Sequence, residues 1–249
     1  MPHTQRLDPE LLLLAYRSGI FPMADTRDDP EVFWVEPKMR GILPLDGFRC
    51  SRSLARTLRR GRFTVTCNTA FAQVIEACAA PRRTPEDAEG ETWISHRIAA
   101  AYSDLHAAGY AHSVECWMDG ALVGGLYGVG FDRAFCGESM FSRVPDASKV
   151  ALAWLVAALR QGGFALLDCQ FITPHLASMG AIEISQTRYL EMLSLAKGPP
   201  PYSGAAGAGS AGAAASLPAA FGALLAAAKS AGFSSSPGNV IAHSFTHTS

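Results

Sequence analysis

The sequence lacks the cysteine spacing of a metal or redox site. Its 249 residues include six cysteines, but no CxxC pair and no zinc-ligand spacing occurs among them. Five of the six lie in strongly apolar or periodic segments. We therefore predict no metal site, and we expect reduced cysteines in the core of a cytoplasmic protein.

The sequence also lacks an apolar run of membrane length. The four leucines at residues 11–14 are fewer than the ~7 residues of a signal-peptide core. Residues 217–228 form a 12-residue apolar stretch that contains Pro218 and Gly222, and a bilayer span needs ~20 residues. We expect a soluble protein without membrane contact.

Charge is scarce and unevenly distributed. The chain is 17% charged and 49% hydrophobic with a net charge of −1, which allows a sizeable core in one or two domains. Residues 198–249 carry a single formal charge, Lys229, and consist largely of Ala, Gly, Ser and Pro. This composition predicts a low-complexity, flexible tail with a marginal Ala-rich helix near residues 219–231.

Local signals predict helices and strands in the remaining chain. Asp8-Pro9-Glu10 is typical of a helix N-terminus, and that helix should run to about Arg17. Asn68 is expected to cap a later helix, and Asp119-Gly120 predicts a two-residue hairpin turn. Alternating or apolar runs predict strands at residues 63–68, 112–118, 121–129, 133–141 and 164–171. The order of these elements, with an apolar helix at 146–161, predicts an α+β domain with a mixed sheet.

A cluster of arginines follows Ser51. Residues 49–62 contain six arginines and no acid. In the short helix predicted there, the basic side chains surround two leucines one turn apart; they are Arg52, Arg56, Arg59 and Arg60. One interpretation is a solvated helix face. The other is a phosphate-binding patch, because clustered arginines without acids attract a polyanion.

Two polar residues interrupt an otherwise apolar strand. In FALLDCQF, Asp168 and Gln170 stand two positions apart and project to the same side of a regular strand. A buried carboxylate and amide need a partner or a task. They are either a satisfied structural pair, or a carboxylate that orients an amide against a reacting group.

Glu138 is the third candidate. It lies between small and apolar residues in FCGESMF, which is expected to pack beside the same sheet. A desolvated glutamate has a raised pKa or a cationic partner. An internal salt bridge is the alternative to a functional role.

Several motifs together resemble a known family, the leucyl/phenylalanyl-tRNA–protein transferases. In order they are GIFPM, WVEP, NTAFAQVIEACA, TWIS, AHSVECW, LVGGLYGV, FCGESMFSR, ASKVAL and LLDCQF, and the match covers about residues 8–195. FCGESMFSR and LLDCQ are the most specific. LVGGLYGV alone would indicate only a glycine-containing strand.

The resemblance implies a fold and an activity. The fold is α+β, with a small N-terminal domain (1–62) and a catalytic domain (63–197) similar to the acetyltransferase (GNAT-like) fold; residues 198–249 resemble nothing in the family. The implied reaction moves Leu or Phe, and also Met, from aminoacyl-tRNA to proteins with N-terminal Arg or Lys, marking them for degradation. No cofactor is implied, acetyl-CoA included, and we expect a monomer.

The resemblance also implies the site residues. Asp168, Gln170 and Glu138 match the family's catalytic positions. Phe135, Met140 and the region of Leu126 match the donor side-chain pocket, and Trp93 in TWIS matches a residue near the terminal adenosine of the tRNA. Some relatives carry a tryptophan where this chain has Met23. Either Phe33 or Trp34 replaces that flat ring, or adenosine binding is weaker.

The chemistry of an aminoacyl ester limits what the site must do. The ester is already activated, and an α-amine with a pKa near ~8 is partly neutral at pH 7, so positioning supplies much of the catalysis. An amide is too weak a base to take a proton. We therefore hypothesise that Gln170 orients the amine, Asp168 fixes Gln170, and Glu138 stabilises the cationic acceptor or the departing proton.

Four other functions compete with this interpretation. An acetyl-CoA-dependent acetyltransferase needs a glycine-containing phosphate turn, which SRVPDASK is not. A thiol hydrolase would use Cys169 and His175, without a recognisable oxyanion motif. A non-catalytic RNA-binding module explains the arginines but not the polar strand residues. A sister transferase for acidic N-termini carries cysteine and basic motifs that are not found here.

Overall fold

The computed structural model describes residues 6–81, 92–197, 215–234 and 236–245. Residues 81–91, a charged and proline-containing segment that the sequence predicts to be a loop, lie almost wholly outside these ranges. The helices in the described residues are α1 (Pro9–Arg17), α2 (Arg52–Arg59), α3 (Phe71–Ala79), α4 (His96–Ala107), α5 (Ala147–Gln161), α6 (Pro174–Ser178), α7 (Gln186–Lys197), α8 (Leu217–Ser230) and α9 (Gly238–Ser244).

The strands form one large mixed sheet and one small hairpin. They are β1 (Phe21–Met23), β2 (Phe33–Val35), β3 (Met39–Ile42), β4 (Thr64–Cys67), β5 (Ala111–Met118), β6 (Ala121–Phe131), β7 (Ala134–Ser142), β8 (Leu166–Gln170) and β9 (Ile182–Ser185). β1 pairs with β2, and the other seven strands lie in the order β4-β5-β6-β7-β8-β3-β9. Among the strand pairs that the described residues form, β7–β8 alone is parallel. The predicted α+β class with a mixed sheet is confirmed.

Helices cover both faces of the large sheet. α5 packs on one face together with α2, α8 and α9. α1, α3, α4 and α7 cover the other face. α5 is apolar all round because it lies between the sheet and the outer helices, and 12 of its residues are buried.

Most of the helices and turns that were predicted from local sequence signals are confirmed. Asp8 caps α1 by accepting a hydrogen bond from the Glu10 backbone N–H at 2.8 Å. Asp119 and Gly120 adopt φ of 52° and 78° at the β5–β6 turn, which is the mirror-image hairpin turn that the dipeptide predicts. Ser51 caps α2 by accepting a hydrogen bond from the Leu54 backbone N–H.

The prediction that Asn68 caps α3 is wrong. Asn68 has φ of 58°, and its side-chain oxygen accepts a hydrogen bond from the Ser113 backbone N–H at 3.0 Å. The N-cap position of α3 is Ala70. The Ala70 N–H instead donates to the buried carboxylate of Glu115 at 3.3 Å, which satisfies a backbone group at the helix start.

The flexible tail at residues 198–249 stays a prediction, and the described part of that segment, residues 215–234 and 236–245, is largely helical. The Ala-rich helix expected near 219–231 is present as α8, and α9 follows it. The Phe221 ring lies 5.0 Å from that of Trp154 in α5, and Leu217, Ile241 and Ala242 are almost fully buried. The single formal charge of this segment, Lys229, is compatible with helices that form a second layer over the core.

The division at residue 62 stays a prediction. β3 comes from the first of the predicted domains, yet it lies inside the large sheet between β8 and β9. None of the six cysteines is in a disulfide bond, and Cys78, Cys116 and Cys136 are buried. No helix in the described residues is long and apolar enough to cross a membrane.

Candidate functional site

A cavity of about 810 Å³ opens where β7 and β8 separate. The two parallel strands pair from Ala134 opposite Leu166 to Cys136 opposite Asp168. Both strands continue beyond that point without pairing to each other. Gln170 then adopts φ of 55°, which ends the regular strand. The cavity therefore lies at the carboxyl ends of the only parallel strand pair found in the described residues, a common position for ligand sites.

The cavity walls are mainly apolar. The apolar lining residues include Phe21, Met23, Trp93, Leu126, Met140, Phe141, Leu152, Leu155, Leu167 and Leu176. Polar groups are concentrated on β7 and β8, where Glu138 and Gln170 face the cavity. A cavity of this kind is suited to hold an apolar side chain, while its few polar groups contact one part of the bound molecule.

Asp168 does not line this cavity and is fully buried beneath it. Its carboxylate accepts two hydrogen bonds from Arg40, at 2.9 Å from Nε and 2.6 Å from Nη2. It also accepts the Tyr189 hydroxyl at 3.0 Å and the Gln170 backbone N–H at 2.8 Å. A carboxylate saturated in this way fixes the strand end and does not reach a substrate.

Arg40 was not among the residues predicted from the sequence. Its side chain is 1% exposed, and besides Asp168 it donates to the Gly19 carbonyl oxygen at 3.0 Å. Its guanidinium lies over the Phe21 ring at 4.7 Å and over the Tyr189 ring at 4.4 Å. An arginine between apolar residues in MRGIL is the one sequence signal for a buried partner.

Glu138 connects Gln170 to two buried phenols. Its carboxylate accepts the Gln170 side-chain N–H at 3.0 Å and the Tyr102 hydroxyl at 2.9 Å. The Tyr102 and Tyr16 hydroxyls share a further hydrogen bond. Burial raises the pKa of Glu138 to about 7; hydrogen bonds from the two phenols oppose this rise, and the charge of Asp168 adds to it.

The salt-bridge alternative for Glu138 is not what the structure shows. Within the described part of the chain, no basic side chain lies within ion-pair distance of Glu138. Arg40 is the nearby cation, and it pairs with Asp168. Glu138 therefore keeps its carboxylate for neutral hydrogen-bond donors and for whatever enters the cavity.

The structure brings four of the six predicted substrate residues to the cavity. Met23, Trp93, Leu126 and Met140 line it. Phe135 does not, because its ring fills the core beside Gly128, where a Cβ atom would lie 2.5 Å from the ring.

Trp34 also lies outside the cavity wall. Its side chain is exposed on β2, opposite Pro22. Phe33 pairs with Met23 in the hairpin and is exposed as well. Within the cavity wall that the described residues form, neither ring takes the place of the tryptophan that some relatives carry at the position of Met23.

The four predicted arginines lie exposed around a second, smaller concavity. Arg52, Arg56, Arg59 and Arg60 line a space of about 420 Å³ together with Cys50 and Ala55. None of the four forms an ion pair with a described residue. α2 also approaches the start of α5, where the Thr57 hydroxyl lies 3.5 Å from the Asp146 carboxylate.

The geometry weakens two of the rival functions. Burial raises the pKa of the Cys169 thiol, and the neighbouring Asp168 charge adds to the rise, so a reactive thiolate is disfavoured. Burial and Lys149 lower the pKa of His175. At the start of α5, the Asp146 carboxylate bonds to Lys149 at 3.3 Å, which places a negative charge beside the position that a pyrophosphate would need.

No metal centre is formed by the described residues, since none of their His, Cys, Asp and Glu side chains gather in groups of three or more that could hold an ion. The polar side chains that line the cavity include the Glu138 carboxylate, the Gln170 amide, several hydroxyl groups, Arg143 and His175. An apolar cavity beside such groups is typical of an enzyme site that holds an apolar group against a polar reacting centre.

Comparison with known proteins identifies the group of enzymes. A family model described as leucyl/phenylalanyl-tRNA protein transferase matches residues 42–194. The model of that family's N-terminal domain matches residues 5–38. The chain belongs to the leucyl/phenylalanyl-tRNA–protein transferase family.

Individual relatives agree with this assignment. The leucyl/phenylalanyl-tRNA–protein transferase of Novosphingobium aromaticivorans is 64% identical, over 100% of this chain and 98% of the relative. The protein of that name from Rhizorhabdus wittichii is 61% identical, over 81% of this chain and 79% of the relative. The match to the solved structure of L-PGS from Bacillus licheniformis covers 68% of this chain and 55% of that chain at 13% identity, with a TM-score of 0.37.

Proposed function

We propose that this protein transfers a leucyl or phenylalanyl group, and also a methionyl group, from aminoacyl-tRNA to proteins with N-terminal Arg or Lys. The observation that carries the proposal is the apolar cavity with Gln170 and Glu138 at its polar wall. Membership of the family supplies the reaction class. The acceptor then carries a new N-terminal residue that marks it for degradation.

The apolar part of the cavity is the proposed site of the donor side chain. Leu126 and Met140 are paired across β6 and β7, and with Leu152 of α5 they line the cavity. One methylene changes the binding free energy by only ~1–3 kcal/mol, so leucyl, phenylalanyl and methionyl groups are all accepted. β-branched Val and Ile are expected to be poorer donors. Trp93 and Met23 are the proposed contacts of the terminal adenosine.

Gln170 is the proposed group that orients the attacking amine. Its side-chain N–H donates to Glu138 at 3.0 Å, which leaves its carbonyl oxygen to accept an N–H of the amine. The Asp168 carboxylate and Arg40 act indirectly, because they hold the Gln170 backbone in its left-handed conformation. Asp168 thus fixes Gln170 through the main chain.

Glu138 is the proposed proton acceptor. The amine nitrogen attacks the ester carbonyl carbon, the bond from that carbon to the ribose oxygen breaks, and an amide bond forms. The nitrogen loses a proton to Glu138, and Glu138 returns that proton to the ribose oxygen as the oxygen leaves. With a pKa near 7, Glu138 is well matched to an amine with a pKa near ~8.

The arginines of α2 are the proposed contacts of the tRNA phosphates. All four side chains are exposed, and phosphate binding by arginine is strongly salt-dependent. Raising the salt concentration is therefore expected to weaken tRNA binding steeply. A Leu-tRNA affinity that does not change with salt contradicts this assignment.

The test is transfer of radiolabelled leucine from charged tRNA to peptides that differ only at the first residue. Transfer confined to N-terminal Arg and Lys is the expected result. Transfer to Asp or Glu would assign the chain to the sister activity. Binding of tRNA with no transfer at all would leave an RNA-binding module as the better description.

A further inference from the structure

The two C-terminal helices lie outside the residues that the family models match, 5–38 and 42–194. α8 packs against α5, and α9 packs against α2, the helix that together with its C-cap residue Arg60 carries the four exposed arginines. Neither helix contributes a residue to the main cavity. The pair nevertheless contacts α2, the arginine helix, directly through α9.

α2, the arginine helix, is not expected to be stable without packing against other elements. α2 is 8 residues long and contains no acid, and helices of this length are unstable without tertiary packing. Arg52 and Arg56 are four residues apart, as are Arg56 and Arg60, and like charges at this spacing repel. Packing of its apolar face must therefore fix where the helix lies.

α9 contacts the backbone of the last turn of α2. The Ser236 hydroxyl, just before α9, donates to the Arg59 carbonyl oxygen at 2.7 Å. Gly238 lies directly against the Leu58 carbonyl, where a Cβ atom would come within 2.3 Å of the oxygen. The close approach of the two backbones depends on the glycine.

α9 is in turn held by the body of the protein. Arg160 of α5 donates to the Ser244 carbonyl oxygen at 3.2 Å. The Phe245 ring lies 4.7 Å from that of Phe48, and Ile241 and Ala242 are fully buried. A fixed α9 can therefore transmit its position to α2.

We propose that α8 and α9 form a brace that sets the position of the arginine helix, so that tRNA affinity depends on residues 215–245. The proposal rests on the proposed phosphate-binding role of α2. Gly238 acts here as a positioning residue, because it contacts the backbone of α2 and no reacting group. The role concerns capture of the tRNA body and not the transfer step.

The test compares two donors in the full-length protein. Gly238→Ala introduces the Cβ that meets Leu58, and Gly222→Ala on α8 is the matched control because its Cβ would meet nothing within 4 Å. One donor is intact Leu-tRNA. The other is leucyl-adenosine, which carries the ester but none of the phosphates that α2 would contact.

For Gly238→Ala we expect the KM for Leu-tRNA to rise at least about threefold, because a displaced helix loses charge-assisted phosphate contacts. The kcat with Leu-tRNA and both constants with leucyl-adenosine should stay unchanged. Gly222→Ala should behave as the wild type with both donors.

Two results would overturn the brace. An equal loss with both donors would show a general effect on the fold, and an unchanged KM for Leu-tRNA would show that α2 does not depend on α9. If the wild-type protein transfers no leucine, the proposed function is refuted. Arg52→Ala and Arg56→Ala test the role of α2 separately. Arginine variants that bind tRNA normally, while transfer persists, refute the role of α2 and the brace together.

Discussion

The buried ion pair of Arg40 and Asp168 predicts a large and specific response to Arg40→Met. Methionine keeps much of the apolar stem but removes both hydrogen bonds to the carboxylate, at 2.9 and 2.6 Å. Asp168 is then left as a buried charge without its cation. Losing one partner of such a pair costs about 3–5 kcal/mol of unfolding free energy.

The remaining contacts of Asp168 set the expected size. The Tyr189 hydroxyl and the Gln170 N–H still donate to the carboxylate, so we expect a loss near the lower limit, about 3 kcal/mol. Adding Asp168→Asn to the Arg40→Met variant removes the carboxylate charge that has lost its partner. The double variant should therefore be more stable than Arg40→Met alone, although both should transfer leucine slowly because Gln170 is less well fixed.

Urea unfolding of the wild type, both single variants and the double variant measures these terms as a double-mutant cycle. Arg40→Lys is the control, since it keeps the charge but loses the two-pronged geometry, and it should fall between wild type and Arg40→Met. The reasoning is refuted if Arg40→Met lies within about 0.5 kcal/mol of the wild type, the range of an ordinary surface substitution.

Three further outcomes follow from the site. Because the pKa of Glu138 is raised to about 7 in the folded protein and is ~4.3 in an unfolded chain, the folded state binds the extra proton between these values. The unfolding free energy should therefore fall as pH rises from about 4.5 to 7, and in Glu138→Gln this slope should be shallower; equal slopes in urea titrations would contradict it. Gly41→Ala places a Cβ 2.8 Å from the Phe171 carbonyl carbon, so thermal or urea unfolding should show a loss of about 1–3 kcal/mol, and an unchanged stability would refute the close approach. Met23→Trp offers a flat ring to the adenosine, and since base stacking is worth about 1–3 kcal/mol, the KM for leucyl-adenosine should fall several-fold; no change would remove Met23 from that subsite.

Elements with strong local signals were predictable from the sequence. The Asp8 cap, the Asp119-Gly120 turn and the apolar helix α5 depend on neighbouring residues, and all three are present. β3 and β9 were not predicted, because each has only 4 residues and is defined by its pairing with distant strands. Local periodicity contains no information about such partners.

The site was predictable in part for the same reason. Asp168, Gln170 and Glu138 are unusual in their own segments, and the structure joins them through hydrogen bonds of 2.8 and 3.0 Å. Arg40 lies 128 residues from Asp168 in sequence, so only the folded chain shows that the carboxylate is already occupied. Phe135 shows a second limit of prediction from sequence. The alternation of side chains along a strand does not indicate whether a buried ring faces a cavity or the core.

The packing of residues 217–244 could not be read from composition either. Alanine favours helices, but segments rich in Ala, Gly, Ser and Pro are also typical of flexible chains, and the outcome depends on whether a surface is available for a helix to pack on. Here α5 supplies that surface, with Trp154 against Phe221. A low charge content was therefore compatible with both outcomes.

The most direct test of the account is single-turnover transfer of radiolabelled leucine from Leu-tRNA to a peptide with N-terminal Arg, with tRNA binding measured in parallel. Gln170→Ala and Asp168→Ala should both lose transfer while tRNA binding stays intact, because one removes the group that orients the amine and the other releases its backbone. A fully active Asp168→Ala or Gln170→Ala protein would contradict the central claim that this amide, held from below by a buried carboxylate, positions the acceptor for attack.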